Sequence, residues 1–547
     1  MLSKRILRSP FLAAASLVAC GAVARSGDGD GASEPKLAPS AAAPRAGSDW
    51  PQWGRDATRN MSAPDAKGLP GSFDAGKFVG ASDQIDFATT KNVLWIGKLG
   101  SQAYGNPTVA GGRVYVGTNN DVPRNPTRFK DDRCTIYCFD EKTGAFLWEF
   151  SAPKLGTGKV SDWEYLGMCS SPAVASGENG KDKVYVVTNR CEVVCLDANG
   201  LKDGNDGPYQ DEAQYTAGPN QTPIPTAEGD ADILWVFNMI DECGVFPHNI
   251  TSSSPLVVGD RLWISTSNGV DYGHKDMPSP NAPCLILLDR HTGELLGEEA
   301  IGLGTRTFHG NWSSPTYLKT DKLEQGIFGG PDGFVYGFAA TPEAHAEGFP
   351  ALKELWRFDV NKPEYRVDAE GKPRRYATRN GPSECLGTPI TWDGKVYASI
   401  GQDPEHGDGV GRLVCIDPSG SGDVTKTHQV WAYDKIRRAI STAAVLDGML
   451  VMADYAGFVY CLDAKTGKEH WVHDTKAHIW GSPLLADGKV VIGNEDGILT
   501  ILPLATTLDP AKVVEVDMHS PIYSSAITAN GVLYVGTHTH LYAIGTK

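Results

Sequence analysis

One stretch constrains the fold of this chain more than any other. Residues 441–474 read STAAVLDGMLVMADYAGFVYCLDAKTGKEHWVHD. Four short alternating apolar runs are separated by Asp447-Gly448, by Tyr455-Ala456-Gly457 and by Ala464-Lys465-Thr466-Gly467. Alternation interrupted by turn residues is the pattern of antiparallel strands, because successive side chains on a strand point to opposite faces. The strands are lettered A to D in chain order, and D carries Trp471.

The same pattern recurs along the chain. Strand A is announced at Asn106-Pro107, Ser171-Pro172, Ser254-Pro255, Ser314-Pro315, Thr388-Pro389, Ser441, Ser482-Pro483 and Ser525-Ala526. A unit that cannot bury its apolar face alone stacks against its copies, and eight four-stranded units make an eight-bladed all-β propeller. Sixty-two Gly and thirty-five Pro suit the many turns this requires. The last copy ends with residues 541–544 as its strand C. The orphan strand at Val93-Leu94-Trp95-Ile96 is expected to supply the missing D, closing the ring and removing a bare sheet edge.

The runs at Asp140 to Trp148 and Asp463 to Trp471 share the form Asp-x-x-Thr-Gly-x-x-x-Trp, with a weaker version at Asp289-Arg290-His291-Thr292-Gly293. This repeat resembles the PQQ-like repeat of quinoprotein alcohol dehydrogenases and of the envelope assembly lipoproteins that share their β-propeller fold. The resemblance implies that the motif ties one blade to the next and leaves function open, since one fold hosts many tasks.

The organisation read from the sequence is a leader over residues 1–19, a tether over 20–48, an N-terminal extension over 49–92 and the propeller over 93–547. Lys4, Arg5 and Arg8 precede an apolar stretch too short to span a bilayer. Leu17-Val18-Ala19-Cys20-Gly21 resembles a bacterial lipobox, which implies cleavage before Cys20, lipidation there and a place at the periplasmic face of the outer membrane. An ordinary secretory signal with an incidental cysteine is the alternative. Small residues, Gly, Ala, Pro and Ser, dominate the tether and make it flexible. A formal net charge of -16, with no basic run after the leader, argues against nucleic acid as a partner.

Sites are expected where copies depart from the template. Strand A is innermost, so the D-to-A and B-to-C connections share one face. Three B-to-C connections are long, at 118–133, 266–283 and 401–411. Ahead of strand A stand His248-Asn249, His309, Asn311-Trp312, Glu384, Arg437-Arg438, His478 and Trp480. These groups could receive a small planar anion or a Ca²⁺ with oxygen ligands, or could simply satisfy one another in a hydrated channel. The long loops add Asp271 with His274, and Asp403 with His406; carboxylate beside imidazole suits metal or acid–base work, although no zinc-type spacing is present. Asp203-Gly204-Asn205-Asp206-Gly207 resembles half a calcium loop but lacks its terminal Glu, which favours a surface loop. Cys138, Cys195, Cys415 and Cys461 share one strand C position, a small core site; Cys134, Cys169, Cys191, Cys243, Cys284 and Cys385 map to the loop face, where export would permit disulfides.

Two functions are compatible with these residues. One is a lipid-anchored scaffold that binds envelope proteins or a small ligand. The other, implied by the resemblance, is a PQQ- and Ca-dependent dehydrogenase oxidising alcohols or sugars, with Glu384, Asn249 and Asn311 on the metal, Trp312 or Trp480 beneath the cofactor, Arg437 or Arg438 beside it, and Asp271 or Asp403 as base. Enzymes of that family usually carry an adjacent cysteine pair near the cofactor, and this chain has no Cys-Cys and no CxxCH haem site. Those absences favour the scaffold.

Overall fold

The alternating runs become strands of three to eight residues, and the strands assemble into eight sheets, each built on four antiparallel strands; three of these sheets carry one or two further short strands at an edge. The computed structural model describes residues 49–546 apart from 123, 125–126, 156–162, 178–179 and 407–408. The leader, Cys20 and the tether lie outside the described residues. In the template blade the strands are Ala444–Leu446, Met449–Ala453, Phe458–Asp463 and Glu469–Asp474, paired in that order. The expected closure is present: Val93–Lys98 pairs antiparallel with His540–Ile544 as strand D of blade 8.

Blade-to-blade cohesion comes from the repeat motif. Asp463 Oδ1 accepts hydrogen bonds from the Thr466 amide and hydroxyl, both at 2.8 Å, and so shapes the C–D turn. Gly467 in that turn has φ +70°, and a Cβ there would meet the Trp431 ring of blade 5 at 2.7 Å. Trp431 Nε1 donates to Ala464 O at 3.0 Å. The same lock joins Trp95 to the turn at Gly144 and Trp148 to that at Gly200. Within each blade the strand C residue opposite the tryptophan must be small: Cys138 faces Trp148, Cys195 faces Trp235, Cys415 faces Trp431 and Cys461 faces Trp471. These thiols are filler in a close-packed core. On the loop face, Cys191, Cys284 and Cys385 are buried and reduced rather than disulfide-bonded.

A girdle of side chains circles the channel where the strands A begin. The backbone N–H of Ser171 donates to Ser254 Oγ, that of Ser254 to Ser314 Oγ, and that of Ser314 to Thr388 Oγ1. Thr388, Thr442 and Ser482 continue it to Ser525. Asn106 then closes the circle, accepting from the Ser525 amide and donating to Ser171 Oγ. The residue type at the Ser-Pro position thus follows from a hydrogen bond to the neighbouring blade.

Residues 49–63 of the N-terminal extension, patternless in sequence, form a strap across the opposite end of the channel. Trp50 pairs with Val109 of blade 1, Pro51 O accepts from Val174 N of blade 2, and Gln52 reaches Val257 of blade 3. Ala57, Thr58, Asn60 and Met61 then bond strand A of blades 4, 5, 6 and 7, and Asp49 bonds Asn530 of blade 8. Arg59 turns inward and is fully buried. Its guanidinium donates to Pro315 O, Trp53 O and Ser254 O at 2.9, 2.7 and 2.8 Å.

Candidate functional site

With one end strapped, the open end is the mouth formed by the D-to-A and B-to-C connections. Its lining divides into two halves. Across blades 6, 7, 8 and 1 it is aromatic: Trp480 stacks on Tyr523 at 4.9 Å, and Tyr104 meets Tyr523 edge-on at 4.9 Å. Trp480 Nε1 donates to Glu495 Oε2, which also lies 3.3 Å from His478 Nδ1, and His478 stacks on Tyr455.

Across blades 3, 4 and 5 the lining is imidazole. His248 and His309, both buried, come from successive D-to-A connections; His274 and His406 come from the long B-to-C loops of blades 3 and 5. His248 Nε2 lies 3.0 Å from His309 Nε2, and His406 Nε2 lies 2.9 Å from the same atom. The His274 ring is 5.1 Å from that of His248 and 4.9 Å from that of His309. His248 Nδ1 donates to Val270 O at 2.6 Å. Burial pushes the His248 pKa down to about 4, against the pull of that hydrogen bond. Burial, reinforced by the neighbouring imidazoles, drives His309 down still further. Both rings are therefore neutral at physiological pH.

Behind the imidazoles stands a buried acid. Glu384 is fully buried; its Oε1 accepts from the Tyr376 hydroxyl at 2.7 Å, while Oε2 has no partner. Burial raises its pKa well above the usual carboxylate range. Tyr376 also accepts from the Asp403 amide at 3.0 Å and stacks its ring on His309 at 5.6 Å. Sequence reasoning missed Tyr376. It comes from residues 360–389, the connection between blades 4 and 5, whose length was the available signal.

The remaining candidates are engaged elsewhere. Asn311 donates from Nδ2 to Cys284 O, and its Oδ1 is a buried acceptor with no partner. Asn249 sits at φ +60° in the turn after His248. Asp271 Oδ1 accepts from the amides of Lys275 and Asp276, which holds its own loop. Asp403 Oδ1 likewise accepts from the Glu405 amide, and burial raises its pKa. Arg438 lies over the Tyr455 ring at 4.5 Å and donates to Pro404 O, whereas Arg437 lies over Phe458. Away from the mouth, Asp197, Asp206 and Asp232 form a carboxylate trio that includes part of the calcium-like loop.

A PQQ would need an open aromatic floor and uncommitted cations. Trp312 already carries His309 edge-on at 5.1 Å, Trp480 is covered by Tyr523, and both arginines lie over other rings. These residues do not fit that cofactor.

The family model described as outer membrane protein assembly factor BamB matches residues 50–213 and 351–510. No curated protein matches the sequence. Among solved structures, BamB from Moraxella catarrhalis is 12% identical, over 83% of this chain and 97% of its own, with a TM-score of 0.48. A europium-containing methanol dehydrogenase is 13% identical over 90% of this chain and 89% of its own, with a TM-score of 0.48. A quinohemoprotein alcohol dehydrogenase from Comamonas testosteroni is 13% identical over 91% and 81%, with a TM-score of 0.42. The stretches matched by the family model make up more than half of the sequence, and the chain therefore belongs to the PQQ-like-repeat β-propeller family that this model describes.

Proposed function

We propose that this protein is a lipid-anchored scaffold of the cell envelope that presents the open mouth of its propeller to partner proteins. The observation that carries this reading is the asymmetry of the ring. One end is strapped by residues 49–63 on all eight blades, while the other bears three long loops, with Tyr272 exposed on one of them and Trp163 exposed on the D-to-A connection that precedes blade 2. Asp49, the first described residue, accepts from Asn530 at the strapped end. Long loops on a rigid frame are where binding surfaces are built. The family description, an outer membrane protein assembly factor, supports envelope proteins as the partner class and an envelope location; the lipobox-like run Leu17-Val18-Ala19-Cys20-Gly21 supports lipidation at Cys20 as the means of attachment.

Photo-crosslinking in cells tests this. A crosslinker at Tyr272 or Trp163 is expected to capture discrete envelope proteins, and one at Val430, exposed on the outer strand of blade 5, is not. Equal capture at all three positions would defeat the reading. The anchor is checked separately by loss of lipid labelling and of membrane retention in Cys20→Ala. The covered Trp312 and Trp480 faces weigh against the dehydrogenase, so saturating PQQ with Ca²⁺ is expected to give neither cofactor absorbance nor dye reduction with alcohols.

A further inference from the structure

The four imidazoles at the mouth cannot all be satisfied by hydrogen bonds among themselves. Val270 O can only accept, so the contact with His248 Nδ1 places the proton there and leaves the neutral ring's Nε2 lone pair aimed into the cluster. His309 Nε2 lies within 3.0 Å of two other ring nitrogens. If His309 carries its proton on Nε2, that proton serves His248 or His406 and leaves the other contact unmade. If the proton is on Nδ1, it is buried without an acceptor, since His309 Nδ1 has no partner, and the Nε2 lone pair faces that of His248. Each arrangement of neutral rings leaves a close polar contact uncompensated, which is costly in a buried site.

One central cation removes the conflict at the Nε2 atoms, because each neutral imidazole then directs a lone pair at it; the His309 Nδ1 proton is the one group left without an acceptor among the described residues. Metal–nitrogen bonds of about 2.0–2.1 Å place neighbouring ligand nitrogens about 2.9–3.4 Å apart, the spacing at which His248 Nε2 and His406 Nε2 each already stand from His309 Nε2. The ligand atoms of His248, His274 and His309 all lie within 4.8 Å of one another. The surroundings are those of a metal-bound imidazole. A ligating histidine usually passes its second ring proton to a carbonyl, as His248 does to Val270. The Tyr376 ring, held by Glu384, fixes the orientation of His309.

We propose that His248, His274 and His309, with His406 as a fourth imidazole, bind one divalent transition-metal ion of the class that prefers nitrogen ligands: Zn²⁺, Cu²⁺ or Ni²⁺. The buried pair from the D-to-A connections forms the rigid half of the site. The pair from the long loops completes it, so the ion clamps the loops of blades 3 and 5 onto the ring. His274 is exposed, which leaves the solvent side open to water or a further ligand.

The full-length chain, made without a polyhistidine tag and stripped with chelator, is titrated with Zn²⁺ and passed through gel filtration. One Zn²⁺ per chain is expected to remain bound, with a rise in Tm, and Co²⁺ is expected to give the visible bands of nitrogen ligation. His274→Ala and His406→Ala lie on loops and leave the core intact; each is expected to weaken Zn²⁺ binding about tenfold or more, as loss of a contact to the metal sphere typically does. The double variant His248→Ala/His309→Ala is expected to lose both retention and the rise in Tm. Substoichiometric retention by the native chain, or affinity unchanged in both loop variants, overturns the proposal. So does binding that survives the double variant and disappears in Asp206→Asn, which would place the ion at the carboxylate trio.

Discussion

At the scale of single residues, the repeat motif makes a sharp forecast. Gly467 and Gly448 both sit at positive φ, +70° and +76°, but only Gly467 lies against a neighbouring blade. Gly448→Ala carries the left-handed backbone cost alone, about 1–2 kcal/mol. Gly467→Ala adds overpacking against Trp431, and a total of about 2–4 kcal/mol is expected in urea unfolding. Equal costs would mean that the indole contact does not hold the blades. Glu299 supplies a pH dependence. It is buried, accepts from the amides of Cys284 and Ile301, and burial raises its pKa from 4.5 to about 7. The folded state therefore binds the proton more tightly than the unfolded state. The stability this contributes is full below pH 4.5 and is lost as pH rises through about 7. The stability of the native chain relative to Glu299→Gln is expected to shrink between pH 5 and 8, measured as Tm differences across that range.

At the scale of elements, the strap is the part the sequence did not reveal. Residues 49–63 show no alternation because they make mostly single contacts with one blade after another rather than lying in a sheet; only Ser62–Ala63 forms a strand, parallel to blade 7. Trp50 and Arg59 read as ordinary extension residues, yet both are fully buried. Arg59→Ala leaves three buried carbonyls without donors, and a loss of about 3 kcal/mol or more is expected in chemical denaturation. Arg59→Lys should recover only part of it, since one ammonium cannot match the guanidinium fork. Full recovery by lysine would show that charge, rather than the three-way bonding, is what matters. The strands themselves were legible, as were the three long loops, because alternation and turn residues are local signals.

At the scale of the molecule, closure rests on two long-range features, the Val93–Lys98 strand and the Asn106 link in the girdle. Trp95→Pro, which breaks the Val93–Lys98 strand and keeps the strap, is expected to leave His540–Ile544 as a bare edge and to shift the chain towards aggregates in size-exclusion chromatography relative to the native chain. Of the mouth, the sequence named His248, His309, Glu384 and the loops bearing His274 and His406, because all depart from the template at known places in the repeat. It did not pair them with one another. A PQQ pocket and an imidazole cluster call on the same loops, and the choice between them depends on which rings already fill the space.

The blade count, strand order and closing strand follow from sequence alone, since a repeat states its contacts locally and again in each copy; the role of the Trp-Gly motif came with the family resemblance. The convergence of four histidines from blades 3 to 5, the insertion of Tyr376 against Glu384 and the strapping of one channel end were decided only in three dimensions. The histidine and strap contacts join residues far apart in the chain, and Tyr376, only eight residues from Glu384, is aimed by an irregular connection; the geometry of all of them depends on the ring that holds them.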